Sequence, residues 1–154
     1  MDQHTVKRFD QELYDLKAIV VRMGELVQMQ ITRAMEALRE EDLQLAREVI
    51  ARAHVVNFMD VQADEQIVNL LALRQPMGRD LRTIMSLGKT VTALERIGDE
   101  AEAIARMALQ IHERGGMVPA PVLLRDAYTM ATLARLMVNQ ALDALAVGKK
   151  KHSM

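Results

Sequence analysis

An all-α fold is predicted by three observations on this sequence. Phe, Tyr and Trp make up only 3% of the chain, so Leu, Ala, Val, Ile and 12 Met must fill the core. Those side chains suit helix-on-helix packing better than strand pairing. Apolar residues recur at alternating steps of three and four, which is the period of a helix face. The 3 prolines all stand in breaks between these periodic segments.

The first helix is predicted over about residues 5–39. Its apolar seam follows a heptad pattern in which Gln30 is the one polar member. Because Gln30 lies toward the end of the segment, we expect its amide to reach water; a role in fixing the helix register is the alternative. Residues 40–42 form a short break, and Asp42 is the predicted N-cap of the next helix.

The second and third helices are predicted over about residues 43–73 and 78–113. The seam of the second is apolar except for Asp60, and the seam of the third narrows to small residues from Gly98 onward. Short connections force consecutive helices to be antiparallel neighbours. Residues 5–115 are therefore predicted to form an elongated up-down-up antiparallel three-helix bundle, with each helix roughly 45 Å long.

A fourth long helix is predicted over residues 120–147, followed by a disordered basic tail at 148–154. This helix is apolar over much of its circumference, although the first three helices already close a bundle. Exposed apolar surface of this kind usually marks an interface, so the sequence predicts a homo-oligomer, most simply a two-fold dimer, through the fourth helix. The apolar positions are Val122, Leu123, Leu124, Ala127, Met130, Ala131, Leu133, Ala134, Leu136, Met137, Ala141, Leu142, Ala144, Leu145, Ala146 and Val147.

Composition excludes several classes of function. The net charge is −1, which gives no electrostatic footprint for nucleic acid or a membrane surface. The absence of cysteine excludes disulfides and thiolate metal sites within this sequence. No signal-like start and no run of about 18 apolar residues occurs, so we expect a cytoplasmic protein. Glu-x-x-His pairs, phosphate-binding glycine loops and nucleophile motifs are also missing, which predicts that the chain is not an enzyme.

Carboxylates crowd the segment "TALERIGDEAEAIARM", residues 92–107. Glu95, Asp99 and Glu102 share one helix face, one turn above another. On the second helix, Asn57, Asp60 and Asp64 do the same. Stacked carboxylates repel, so arginines, water or a metal ion must compensate them, and oxygen ligands suit a divalent or trivalent ion. From spacing alone a solvated acidic ridge is favoured, with a metal site as the alternative.

A cluster of arginines surrounds the second break in "RQPMGRDLR", residues 74–82. Arg79 and Arg82 are expected to pair with nearby acids such as Asp80. The alternative is that Arg74, Arg79 and Arg82 together contact an acidic surface of a partner protein.

The segments "LLALRQPMGRDLR" and "LERIGDEAEAIAR" together resemble the PhoU family, cytoplasmic regulators of high-affinity phosphate uptake, over about residues 6–147. The resemblance implies a helical protein of two similar three-helix bundles, which acts without catalysis. It also implies that iron or another transition metal is held, in some members, by acid-x-x-x-Asp motifs. In this chain those positions are Asp60, Asp64, Glu95 and Asp99, with Glu102 and Asn57 as neighbours.

The same resemblance implies partners: the ATPase subunit of the phosphate ABC transporter and a sensor histidine kinase. Membrane association would then occur only through those partners. The chain departs from the family pattern because a single helix follows Pro121, so residues 120–147 are predicted to be the first helix of an incomplete second bundle. We therefore expect a regulator of phosphate uptake and starvation signalling. The alternatives are a metal-binding or metal-storing bundle without a signalling role, and a structural fragment that has lost signalling.

Overall fold

Four long helices make up nearly all of the described chain. The computed structural model describes residues 3–115 and 121–152. Its helices are α1 (Gln3–Glu40), α2 (Leu43–Arg74), α3 (Gly78–Glu113) and α4 (Pro121–His152). These two ranges contain no strand, so the predicted all-α class is confirmed. The predicted bounds of α1, α2 and α3 agree with the observed ones to within 2 residues.

The breaks between the helices follow from specific residues. The Asp42 carboxylate accepts a hydrogen bond of 3.1 Å from the Leu45 backbone N–H, which confirms the predicted N-cap of α2. Gln75 ends α2 in the left-handed conformation, with φ of 45°. Pro76 follows at once and cannot continue the helix, so the chain reverses direction into α3 within three residues.

The predicted disordered tail is partly wrong, because α4 continues to His152 rather than ending at residue 147. Only Gly148 in this stretch disfavours helix, at a cost of about 1 kcal/mol. Lys149, Lys150 and Lys151 are good helix formers, and cations are favourable in the last turn of a helix. Residues 153 and 154 lie outside the described residues.

The core of the three-helix bundle changes character along its length. Near the α2–α3 connection it consists of large side chains such as Leu16, Met23 and Ile84. Near the α1–α2 connection it also contains large side chains such as Ile31 and Leu38, but alanines of all three helices make up about half of it. These alanines are Ala34, Ala37, Ala46, Ala101, Ala105 and Ala108. The predicted narrowing after Gly98 is therefore confirmed, and it lets the helices approach closely at that end.

Gln30 is buried, contrary to the expectation that its amide reaches water. Its side chain is 1% exposed, and Nε2 donates a hydrogen bond of 2.8 Å to the Val49 carbonyl oxygen of α2. Within the described part of the chain, Oε1 has no hydrogen-bond partner. Gln30 is enclosed because the α1–α2 connection and the alanine-rich end of the core lie beyond it. This arrangement favours the alternative role in fixing the α1–α2 register.

α4 packs back against α1 of its own chain through one face. Val138 is 1% exposed, and Ala131 is also buried against the bundle. Gly24 of α1 provides the space for Leu142, since a Cβ at position 24 would lie only 2.7 Å from Leu142 Cδ2. Gln28 Nε2 donates a hydrogen bond to Asn139 Oδ1 across the same interface.

The opposite face of α4 is exposed. Leu133, Leu136 and Met137 are 55%, 52% and 61% accessible, respectively. Leu142 and Leu145 are half-buried on the docked side, whereas the side chains at 122–124, 127, 130, 144, 146 and 147 lie outside the described residues. Within residues 3–115 and 121–152, no helix has the length and apolar character that crossing a membrane requires.

Candidate functional site

The carboxylate cluster lies beside a close contact between α2 and α3. Gly98 of α3 is buried against Val56 of α2, and a Cβ at position 98 would lie 3.1 Å from Val56 Cγ1. The missing side chain therefore explains the glycine between Glu95 and Asp99, and its close neighbour is a side chain rather than backbone. This contact brings the acidic faces of the two helices together.

Asp60 is the central member of the cluster. It is half-buried, and the pKa of its carboxyl group is raised from 3.8 to about 6. Burial is the largest cause of this shift, and the negative charges of Glu95, Asp64 and Asp99 together with a hydrogen bond to Glu95 account for the rest. The four predicted carboxylates thus lie close enough to interact, and in the described part of the chain no cation contributes to the pKa shift of Asp60.

Two further predicted ligands have a different environment. Glu102 accepts a hydrogen bond of 2.9 Å from Arg106 Nη2, so its charge is balanced within α3. Asn57 is exposed on α2. Within the described ranges, no three His, Cys, Asp or Glu side chains are arranged to hold a metal ion. The donor chemistry of the cluster suits a hard cation, but its oxygens would have to rotate to converge on one point.

The three arginines around the α2–α3 connection differ from one another. Arg74 forms a two-point ion pair with Glu12 of α1, with Nη2–Oε1 at 2.9 Å and Nε–Oε2 at 3.2 Å. The hydrogen bond from Arg74 lowers the pKa of Glu12. Arg79 and Arg82 are exposed, and neither pairs with Asp80 or any other acid in the described part of the chain. The expected pairing of these two arginines with nearby acids is therefore wrong.

Exposed apolar residues beside these arginines were not singled out from the sequence. Met77 is 82% exposed at the N-cap position of α3, and Leu73 and Leu81 are exposed on either side of it. Met77 provides no side-chain hydrogen bond to the helix. A large apolar residue at a position that favours Ser, Thr or Asp is the signal that could have revealed this surface.

Residues 20–108 match the family model described as the PhoU domain. The chain is 39% identical over 146 residues to the phosphate-specific transport system accessory protein PhoU homolog of Pseudomonas aeruginosa, covering 95% of this chain and 59% of that protein. It is 36% identical over 149 residues to the phosphate-specific transport system accessory protein PhoU of Escherichia coli K12, with the same coverage of 95% and 59%. The chain thus spans 59% of the length of these relatives.

Two solved structures share the fold. The crystal structure of PhoU from Pseudomonas aeruginosa matches with a TM-score of 0.79 and 40% identity, over 90% of this chain and 65% of that one. The phosphate transport system regulatory protein PhoU from Streptococcus pneumoniae matches with a TM-score of 0.74 and 29% identity, over 88% and 62%. These names describe accessory and regulatory proteins, in agreement with the prediction that the chain is not an enzyme.

Proposed function

Because this chain belongs to the PhoU domain family, we propose that it regulates phosphate uptake and phosphate-starvation signalling through protein–protein contacts in the cytoplasm. Its proposed partners are the ATPase subunit of the phosphate ABC transporter and a sensor histidine kinase. In this role it keeps the starvation response off while phosphate is ample. The proposal is supported by the relatives of this chain, whose names describe accessory proteins of the phosphate-specific transport system.

The α2–α3 connection is the surface that we assign to partner contact. Met77 combines high exposure with an apolar side chain, and Arg79 and Arg82 add two cationic groups without an acid paired to them in the described ranges. An apolar centre flanked by arginines is typical of energetically important contacts in protein interfaces. Arg74 supports the surface indirectly, because its ion pair with Glu12 fixes the end of α2 against α1.

A deletion strain tests the regulatory role. In a strain without another PhoU-family gene, deletion should raise an alkaline phosphatase reporter in phosphate-rich medium, and this chain should restore repression. Arg79→Glu with Arg82→Glu should fail to restore repression. Arg47→Glu with Arg52→Glu, a matched change of two exposed arginines on α2, should restore it.

A pull-down from phosphate-replete cells tests the partners directly. The wild-type chain should capture the transporter ATPase or the sensor kinase, and the Arg79→Glu, Arg82→Glu variant should not. An unchanged reporter after deletion would remove the regulatory proposal. Normal repression and capture by the double variant would instead show that the partners contact another surface.

Metal binding is a second candidate function, and the gathering of Asp60, Asp64, Glu95 and Asp99 favours it. These residues would bind iron or another divalent or trivalent transition metal ion with weak to moderate affinity. The positive charge of the ion would relieve the repulsion among the carboxylates. Asp60→Asn with Asp99→Asn should abolish the bound metal in elemental analysis. Equal metal in this variant and in the wild type would end the metal proposal. Tight stoichiometric metal together with an unchanged reporter would favour a storage role instead.

We also propose that the chain forms a homo-oligomer, most simply a dimer, through the exposed face of α4. The exposure of Leu133 and Met137 supports this, because leaving several large apolar side chains in water is unfavourable by about 25 cal/mol per Å². Leu133→Glu with Met137→Glu should give a monomer by light scattering at tens of micromolar protein. Phe58→Glu with Val61→Glu, which removes two exposed apolar side chains from α2, should leave the dimer intact.

A further inference from the structure

A basic pocket lies at the end of the bundle where α1 begins and α2 ends. It has a volume of about 550 Å³ and is open to solvent. Among the described residues that line it, none is acidic and none is aromatic. This pocket, which we call the α1–α2 pocket, is lined by His4, Thr5, Lys7, Arg8, Gln11 and Arg74.

Two helices supply the positive charge of the α1–α2 pocket. Lys7 and Arg8 are exposed and come from α1, where residues 4, 7, 8 and 11 share one face because they are three or four positions apart. Arg74 comes from the last turn of α2, and its side chain is only 18% exposed. Its bonds to Glu12 use Nε and Nη2, so they fix the guanidinium group and leave Nη1 able to donate to a ligand. The pocket thus combines one fixed cation with two mobile ones.

The acids at the border of the pocket are held by other donors. Glu12 accepts both of its printed bonds from Arg74, and Asp15 accepts a hydrogen bond of 2.9 Å from Gln11 Nε2. Within residues 3–115 and 121–152, neither Lys7 nor Arg8 forms an ion pair. The charges of these two side chains are therefore directed to solvent or to a ligand.

We propose that the α1–α2 pocket binds a small inorganic anion in which two or more phosphoryl groups are linked in a chain. Donors reach the pocket from different directions, with Arg74 on α2 and Lys7 and Arg8 on α1. A tetrahedral phosphoryl group presents oxygens in several directions, whereas a carboxylate presents two oxygens in one plane. The lining residues of α1 extend over roughly 10 Å of helix, so a chain of phosphoryl groups contacts more of them than a single phosphate does.

The lining also distinguishes an inorganic chain from a nucleotide. Recognition of a base commonly uses an aromatic side chain on which the base stacks, and the described lining of the α1–α2 pocket provides none. The phosphate chain alone should therefore supply the affinity. This inference is independent of the proposed regulatory role, because the binding is measured on the isolated chain.

Calorimetric titration with tripolyphosphate tests the site. Low salt strengthens the expected binding, and buffer without divalent cations excludes any effect of metal at the carboxylate cluster. The wild-type chain should bind one anion, and Lys7→Gln with Arg8→Gln should raise Kd at least about tenfold. Arg47→Gln with Arg52→Gln removes the same charge from exposed positions of α2 toward its other end, and should leave Kd within about twofold.

Arg74→Lys separates a built site from a general attraction of anions, because it keeps the charge. A lysine cannot bind Glu12 at two points and still direct a fixed donor into the pocket, so Kd should rise about fivefold. Unchanged helix content by circular dichroism would show that this variant is folded.

A ligand series identifies the anion. Orthophosphate and citrate should bind at least about tenfold more weakly than tripolyphosphate, and ATP within about threefold of it. ATP that binds about tenfold more tightly would overturn the assignment to an inorganic chain, and citrate of equal affinity would overturn the preference for phosphoryl groups. Equal losses in the pocket pair and the control pair, or no binding of tripolyphosphate at about 1 mM, would overturn the site itself. None of these results bears on the reporter test of the regulatory role.

Discussion

Two interfaces of this protein are built on a glycine, and they have opposite electrostatic outcomes. At Gly24 the missing side chain admits Leu142 of α4, and the neighbouring polar groups of Gln28 and Asn139 are paired. At Gly98 the missing side chain admits Val56 of α2, and the close approach brings Asp60 next to Glu95, with no described cation contributing to the pKa shift of Asp60. Close packing between helices is therefore not by itself stabilising. The polar groups beside the contact decide its effect. Paired groups stabilise the fold, whereas unpaired carboxylates leave a charged surface that can serve another function.

Val138→Ala should have the largest effect on the free energy of unfolding, because it weakens the contact between α4 and α1 beside Gly24. Val138 is fully buried between α4 and the bundle, so its truncation should destabilise by about 2 kcal/mol. Because α4 is joined to the bundle through one face, amide hydrogen exchange should accelerate mainly in α4. Leu133→Ala, at an exposed position on the same helix, should change stability by less than about 0.5 kcal/mol. Equal acceleration in all four helices would show that α4 and the bundle unfold as one unit.

Asp60→Asn should stabilise the fold above pH 6, because it removes the uncompensated charge at the second contact. The pKa of Asp60 is raised to about 6 in the folded protein, so folding takes up a proton between about pH 4 and 6 and stability falls as the pH rises through that range. The gain should be about 1–2 kcal/mol at pH 7.5, after allowance for solvent screening, and near zero at pH 4. Urea denaturation at the two pH values measures it.

A matched control for this prediction is Asp10→Asn, on the exposed surface of α1. It should change stability little at either pH. If Asp60→Asn were destabilising at pH 7.5, the Asp60 carboxylate would have a favourable partner, and the description of the cluster as uncompensated would be wrong.

We expect Gly24→Ala and Gly88→Ala to differ in their effect on the free energy of unfolding. The packing of α4 requires the glycine at position 24, whereas no close contact requires the glycine at position 88. A Cβ at Gly88 would be 3.5 Å from Ile67 Cδ1, an ordinary contact, so Gly88→Ala should stabilise by up to about 1 kcal/mol through helix propensity. At Gly24 the same gain is opposed by the displacement of Leu142. We expect Gly24→Ala to be less stable than Gly88→Ala by about 1 kcal/mol in thermal or urea unfolding. Equal stabilisation would mean that α4 repacks at no cost.

Gly98→Ala should have the smallest net effect on stability, within about 0.5 kcal/mol, because two changes oppose each other. The helix propensity of α3 improves, but the added methyl group meets Val56 Cγ1, whose β-branched side chain has little freedom to move. The pKa of Asp60 is the more sensitive measure. If the two helices move apart, an NMR titration should show this pKa falling from about 6 toward its ordinary value.

Helix positions were accessible from the sequence because they depend on local chemistry. The apolar periodicity predicted the central part of each helix, and Asp42 and Pro76 predicted the two breaks that flank α2. The acidic faces were also predictable, since residues four apart must share a face of a helix. Antiparallel pairing of α2 and α3 then brings Asp60 and Glu95 together, as the structure shows.

Specific contacts between helices were harder to predict from the sequence. The ion pair of Arg74 with Glu12 joins residues far apart in the sequence, so it depends on the relative shift of two helices. Nothing in the spacing of α4 revealed that one of its faces would dock on Gly24. The convergence of carboxylate oxygens depends on side-chain rotamers, which periodicity does not determine.

The buried amide of Gln30 has a consequence for alternative states of the bundle. A seam with a heptad repeat looks nearly the same after one helix slides past its neighbour by one repeat, about 10 Å, so apolar packing alone leaves several arrangements close in free energy. Sliding would break the bond from Gln30 Nε2 to the Val49 carbonyl and leave the whole amide unpaired in an apolar environment. Gln30 thus penalises every shifted arrangement. Replacement by Leu would remove that penalty and allow a mixture of slid conformers, even if the melting temperature rose.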